Sequence, residues 1–280
     1  AVVAGLSGCD SACVCLCAGG QSQRALGFYE AAGIAGLLAA SVVFALFLGQ
    51  NYRLAALLTA VSYGLAALAA LVLPSLPAPP RQSARAQLAA LAAQLRAAPR
   101  FALFLVAGAL LAEVCQFSTV FLSQLLWADR GFGPGALTVA YLALTAAGLC
   151  AGGSHRVTGL LGPRRLGRVC FGTAAVCCAG LALGPGPVLC TVFLLALKIA
   201  AGVYRPWELS RQNACALRWG PPSVMLSGYS MVSGLVSGAV NAGMSRAADV
   251  SLSLVLACCA GLCCAGAVLF EAGFRAQSTQ

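Results

Sequence analysis

Eight apolar blocks follow one another along the chain, at roughly residues 25–48, 54–73, 101–127, 136–153, 166–183, 188–204, 223–245 and 251–270. Each approaches the roughly twenty residues that a helix needs to cross ~30 Å of hydrocarbon. The blocks are continuous. They lack the apolar–polar alternation of a membrane barrel strand, which excludes that architecture. In lipid every backbone N–H and C=O must be satisfied within the segment, so the blocks are predicted to be helical. A shorter stretch, residues 1–16, reads as the end of an earlier span. The predicted fold class is an all-α polytopic membrane protein, a bundle of about eight transmembrane helices plus a partial one at the start.

Two kinds of residue punctuate the blocks. All 12 prolines fall between them: Pro74, Pro77, Pro79, Pro80, Pro99, Pro134, Pro163, Pro185, Pro187, Pro206, Pro221 and Pro222. Proline has no N–H to donate and disrupts helix interiors, so this placement marks span ends. The arginines alternate in number from one connection to the next. Arg24, then Arg81, Arg85, Arg96 and Arg100, then Arg156, Arg164, Arg165 and Arg168, then Arg205, Arg211 and Arg218, and finally Arg275 fall on one side. Only Arg53, Arg130 and Arg246 fall on the other. The positive-inside rule puts the richer set, and the C-terminal tail, in the cytoplasm. Residues 74–100 form the longest connection. Leu88, Leu91 and Leu95 recur there at helical spacing beside Arg85, Gln87, Gln94 and Arg96, which predicts an amphipathic helix on the inner membrane surface.

Composition narrows the classes. Of 280 residues 60% are hydrophobic and 9% charged, against roughly a quarter charged in an ordinary soluble domain. The mean hydropathy is +0.90. That excludes a water-soluble globule and a disordered chain. The net charge of +10 is spread singly between apolar runs and forms no patch suited to nucleic acid. The stretch at Ala1 has no basic n-region and no short apolar h-region, so it is not expected to be a signal peptide. The 15 cysteines and one histidine show no zinc spacing. The run Cys9, Cys13, Cys15 and Cys17, and the pairs within spans, read as small apolar fillers. No P-loop, metalloprotease motif or nucleophile triad is present. The expectation is therefore no enzyme, no cofactor and no metal.

Local strings carry a family resemblance. Ser7-Gly8-Cys9-Asp10, followed by Gly27, Gly33 and Gly36, resembles the end of span four and the start of span five in bacterial drug-efflux-like members of the major facilitator superfamily. Tyr52-Arg53 and the close at Leu73-Pro74 resemble their sixth span. Gly153-Ser154-His155-Arg156 and Leu161-Gly162-Pro163-Arg164-Arg165-Leu166-Gly167 resemble the basic loop between spans eight and nine. Asn213, Arg218 and Met225-Leu226-Ser227 resemble the start of span eleven. On this resemblance the chain is a fragment covering roughly spans five to twelve. Residues 1–73 close the first six-helix half, 74–100 are a cytoplasmic tether, and 101–280 form the second half.

Two charged residues sit well inside the apolar blocks, Glu113 and Lys198. A charge in the bilayer costs about 3 kcal/mol or more, so it faces a cavity or a partner. The resemblance places both on cavity-lining spans and makes Glu113 a candidate proton or cationic-substrate site. Gln116, three residues on, is expected on its face. Ser118, Gln124, Tyr141, Thr145 and Tyr204 are further polar candidates. Gly33 and Gly36, and Ser230, Gly234 and Gly238 at four-residue spacing, are expected to allow close helix packing. The expected function is proton-coupled secondary transport of a small solute by alternating access in the plasma membrane. Lipid, solute and proton are its partners, and a monomer is the default state. A non-transporting sensor or assembly protein of the same fold, or a non-functional remnant, is the alternative.

Overall fold

The computed structural model describes residues 2–48, 51–72 and 83–274. The tether residues Pro74, Pro77, Pro79, Pro80 and Arg81, and Arg275 of the tail, lie outside the described residues. Those described form twelve α-helices and no strand. α1 (Val2–Ala18) and α2 (Ser22–Val43) are divided by one tight turn at Gly19–Gln21, where Gly19 takes a φ of +53° that a side chain would oppose. After α3 (Tyr52–Leu71) come α4 (Ala84–Ala97), α5 (Pro99–Gln116) and α6 (Ser123–Asp129). Next are α7 (Pro134–Ala147), α8 (Ser154–Leu161), α9 (Pro163–Ala182), α10 (Pro187–Trp219), α11 (Pro222–Val250) and α12 (Leu252–Phe274). A π-type turn at Phe117–Phe121 widens the end of α5, and a 3-10 turn at Gly148–Gly153 joins α7 to α8. Among the described residues eight helical segments are long and apolar enough to cross a membrane.

Proline explains most of the boundaries. Pro99, Pro134, Pro163, Pro187 and Pro222 each open a helix, where the missing N–H has no intrahelical partner to lose. Pro206 is the correction. It was expected between spans, yet it lies inside α10, which runs unbroken for 33 residues. The ring removes one helical hydrogen bond, to the carbonyl of Gly202. Packing on both sides, with Pro206, Trp207 and Glu208 all buried, holds the helix together. Neighbouring helices commonly sustain a broken backbone bond in this way inside membranes.

The core sits between α5, α9, α10 and α12. Phe104, Phe171, Tyr204, Trp207 and Phe270 form one aromatic cluster. Phe104 meets Trp207 edge-on at 5.6 Å, and Phe171 meets Tyr204 at 5.7 Å. Three glycines make room for it. A Cβ at Gly167 would run into the ring of Phe270, one at Gly266 would stand 2.7 Å from Phe171, and one at Gly273 would stand 2.7 Å from the carbonyl of Arg100. The glycines singled out from spacing behave differently. At Gly33, Gly36, Gly234 and Gly238 a Cβ would meet nothing within 4 Å. No described helix packs against them, and α3 buries none of its residues.

α4 is clamped as well as amphipathic. Ser83 caps it by accepting from the Ala86 N–H at 3.2 Å. Leu91 fits against Gly228 of α11, where a Cβ would stand 3.0 Å from its side chain. Gln94 is fully buried and donates to the Tyr229 hydroxyl of α11 and to Cys215 Sγ of α10 at 3.5 Å. α4 is thus fixed to α10 and α11.

Candidate functional site

A cavity of about 230 Å³ opens between α2, the end of α5, the turn after α7, and α10. Its polar lining comes from Glu30 of α2, Gln116 and Thr119 at the end of α5, and Lys198, Tyr204, Arg205 and Glu208 of α10. Local packing holds these elements in register. Gln23 of α2 donates to Ser154 Oγ at 3.1 Å and to Thr158 Oγ1 at 2.8 Å. Ser154 in turn donates to the Val203 carbonyl of α10 at 2.6 Å. Gly27 lets α2 approach the Ala151 carbonyl, which a Cβ would meet at 2.6 Å. Gly148 gives Ile34 and the Lys198 stem their space.

Among the described residues Glu208 is the most enclosed charge, at 1% exposure. Arg205 donates to its Oε2 at 3.2 Å and Gln212 to its Oε1 at 3.0 Å. Its carboxylate lies against Gly108 of α5, where any Cβ would displace it. One turn before it, the Tyr204 hydroxyl is buried with no hydrogen-bond partner. Such an orphan is uncommon and calls for a ligand, a water or an ion. Among the described residues Lys198 and Glu30 form no ion pair, so the cavity presents one open cation and one open anion besides the Arg205–Glu208 pair.

The sequence-derived candidates separate here. Gln116 and Lys198 line the cavity, but Glu113 does not. Glu113 is turned toward α11, where Asn241 Nδ2 donates to its Oε1 at 2.6 Å. Of the further polar candidates only Tyr204 lines the cavity. Thr145 donates back to the Tyr141 carbonyl at 2.9 Å, Ser118 sits beside Cys178, and Gln124 is exposed. Glu30, Arg205 and Glu208 were not among the candidates. Reading Arg205-Pro206 as a loop hid the last two, although Arg205, Glu208 and Gln212 are spaced i, i+3 and i+7 as on one helix face. Among the described residues no group of three or more His, Cys, Asp or Glu gathers to hold a metal.

A family model, Major Facilitator Superfamily, matches residues 11–210. The chain belongs to the Major Facilitator Superfamily. No curated protein and no solved structure matches it. The matched stretch contains every charged residue of the cavity, from Glu30 to Glu208. The superfamily is one of transporters, which makes this chain a multi-pass membrane transporter by kinship. Its apolar helices and enclosed charges agree with that kinship.

Proposed function

We propose that this protein is a secondary active transporter of the plasma membrane that moves a small polar solute by alternating access, driven by a proton gradient. One observation carries the reading: charges of both signs and an orphan hydroxyl are gathered in a cavity within a bundle of spans. Each such charge costs about 3 kcal/mol or more without a partner. Lys198 suits an anionic group on the solute and Glu30 a cationic one, so a zwitterion of amino-acid size fits best. The volume of about 230 Å³ is below the ~300–1,000 Å³ of drug-sized sites. That favours a small solute over the bulky amphipathic compounds that the likeness to efflux members suggests. Outward movement is the direction that likeness supports. The C-terminus is cytoplasmic on the arginine asymmetry.

Two acids compete for the proton. Glu208 faces the cavity and is paired with Arg205, so protonating it frees Arg205 toward the solute. Glu113 lies behind the cavity, clasped by Asn241. Geometry favours Glu208 as the coupling acid and makes Glu113 a clasp between α5 and α11. The open glycine faces of α2 and α11 are available for close helix approach in a second conformation.

The test is uptake into proteoliposomes under an imposed pH gradient, with a panel of labelled amino acids and cationic dyes. Wild type is compared with Glu208→Gln and Glu113→Gln, each shown to be folded by gel filtration. Gradient-driven flux is expected to vanish in Glu208→Gln and to persist in Glu113→Gln. The reverse pattern assigns coupling to Glu113. No flux of any compound in wild type overturns transport and favours a sensor or assembly role.

A further inference from the structure

A second cavity, of about 550 Å³, opens where α4 hands over to α5, against the C-terminal part of α10. Its charged lining groups are Arg100, Arg211 and Arg218, and none of the seven acids of the chain lines it. Among the described residues none of the three arginines makes an ion pair or a side-chain hydrogen bond. Where an arginine of this chain has an acid or carbonyl in reach it uses it: Arg164 and Arg168 pair with Glu271, Arg205 with Glu208, and Arg130 with backbone carbonyls. The charged neighbour of the half-buried Arg211 is Arg218, a like charge. Three guanidinium groups around one cavity with no acid between them repel one another unless an anion joins them.

The kind of anion follows from the donors. Guanidinium forks match the oxygens of a phosphate in bidentate fashion. α5 starts at this cavity, at Pro99, and no side chain caps it. The positive end of its dipole therefore adds to the same field. The remaining walls are apolar, with Ala97, Ala98, Phe101 and Ala214, and a half-exposed Trp219 stands at the rim. A tryptophan at that position resembles the aromatic belts at membrane surfaces. The arginine asymmetry of the chain puts this end in the cytoplasmic leaflet, where acidic lipids concentrate and basic pockets between spans hold their headgroups. We propose that this cavity binds a phosphate group, supplied by the headgroup of an acidic membrane lipid or by soluble phosphate. The ligand bridges the end of the tether to α10. The site is separate from the solute cavity, so it stands whether or not the solute reading does.

The experiment follows thermal unfolding of the purified chain in neutral detergent. It is titrated with phosphatidylglycerol, with phosphatidylcholine, and separately with inorganic phosphate. Three variants accompany wild type: Arg218→Gln, the triple Arg100→Gln/Arg211→Gln/Arg218→Gln, and Arg156→Gln as a control for general surface charge. Phosphatidylglycerol, but not phosphatidylcholine, is expected to stabilise wild type and Arg156→Gln. The titration midpoint should be at least tenfold weaker in Arg218→Gln and the effect absent in the triple variant. Stabilisation by phosphatidylglycerol alone identifies the lipid headgroup. Equal stabilisation by inorganic phosphate, lost with the same arginines, identifies soluble phosphate. If the triple variant does not fold, Arg218→Gln alone decides, since that side chain is exposed. A shift that is absent in wild type, or equal in wild type and Arg218→Gln, overturns the proposal.

Discussion

Replacing Gly108 by alanine reaches the carboxylate of Glu208, on the wall of the cavity, from behind. A methyl group at that position would stand 2.6 Å from Glu208 Cδ, whereas ordinary non-bonded contact begins near ~3.5 Å. The carboxylate must therefore retreat by about 1 Å. Its bonds from Arg205 at 3.2 Å and Gln212 at 3.0 Å would then lengthen past the ~3.5 Å at which a hydrogen bond ceases to count. Disrupting a buried ion pair costs about 3–5 kcal/mol. Arg205 is 41% exposed, so water takes over part of its solvation and the cost falls to about 2 kcal/mol. For a chain of this size that is a fall of roughly 4–8 °C in the unfolding midpoint, measured on purified protein in detergent micelles by tryptophan fluorescence. The decisive comparison is a double-mutant cycle. In a Glu208→Ala background the obstructing carboxylate is gone, and Gly108→Ala should cost less than ~0.5 kcal/mol, leaving a coupling of about 1.5 kcal/mol. An equal fall in both backgrounds would refute the reasoning, because it would mean that Gly108 is needed for the helix and not for Glu208.

Two further predictions concern packing away from the cavity. Glu271 of α12 accepts from Arg164 at 2.7 Å and Arg168 at 2.5 Å of α9, so Glu271→Gln should lower the unfolding midpoint slightly, and less in high salt, since both arginines are well exposed; a salt-independent loss would point to packing instead. Alanine at Gly234 or Gly238 should leave the unfolding midpoint unchanged or slightly raised, because nothing stands within 4 Å and alanine is the better helix former. Alanine at Gly167 should lower it by several degrees through the ring of Phe270, and comparable effects at the two kinds of site would contradict the packing described.

The spans were legible because hydrophobic length is a direct consequence of bilayer thickness, and the structure closely follows the eight apolar blocks. The helix α4 was legible from Leu88, Leu91 and Leu95, but not its clamp, since Gln94 reads as a solvated residue in sequence and only the fold sets Tyr229 beside it. Pro206 misled. A proline reads as punctuation in sequence, and only the tertiary packing of Trp207 and Glu208 shows the helix passing through it. That one misreading shortened α10, left Lys198 near a span end, and removed Glu208 from view. Glu113 and Gln116 illustrate a subtler limit. Three residues apart on a helix is a separation of about 60° around the axis, enough to direct one toward α11 and the other into the cavity. The glycine stripe failed for a related reason. Small residues permit a close approach, but spacing alone does not say which helix makes it.

Pro206 also has a mechanical consequence. The 13 residues from Trp207 to Trp219 form a rigid arm about 20 Å long at 1.5 Å per residue. It is pivoted where the helix lacks a backbone bond. A bend of about 10° at that pivot sweeps the tip through some 3 Å, roughly the length of one hydrogen bond. Arg205 and Glu208 flank the pivot, and Arg211 and Arg218 ride on the arm. Any rearrangement of the Arg205–Glu208 pair would thereby be geared up into a displacement at the far end of the same rod, beside the start of α5.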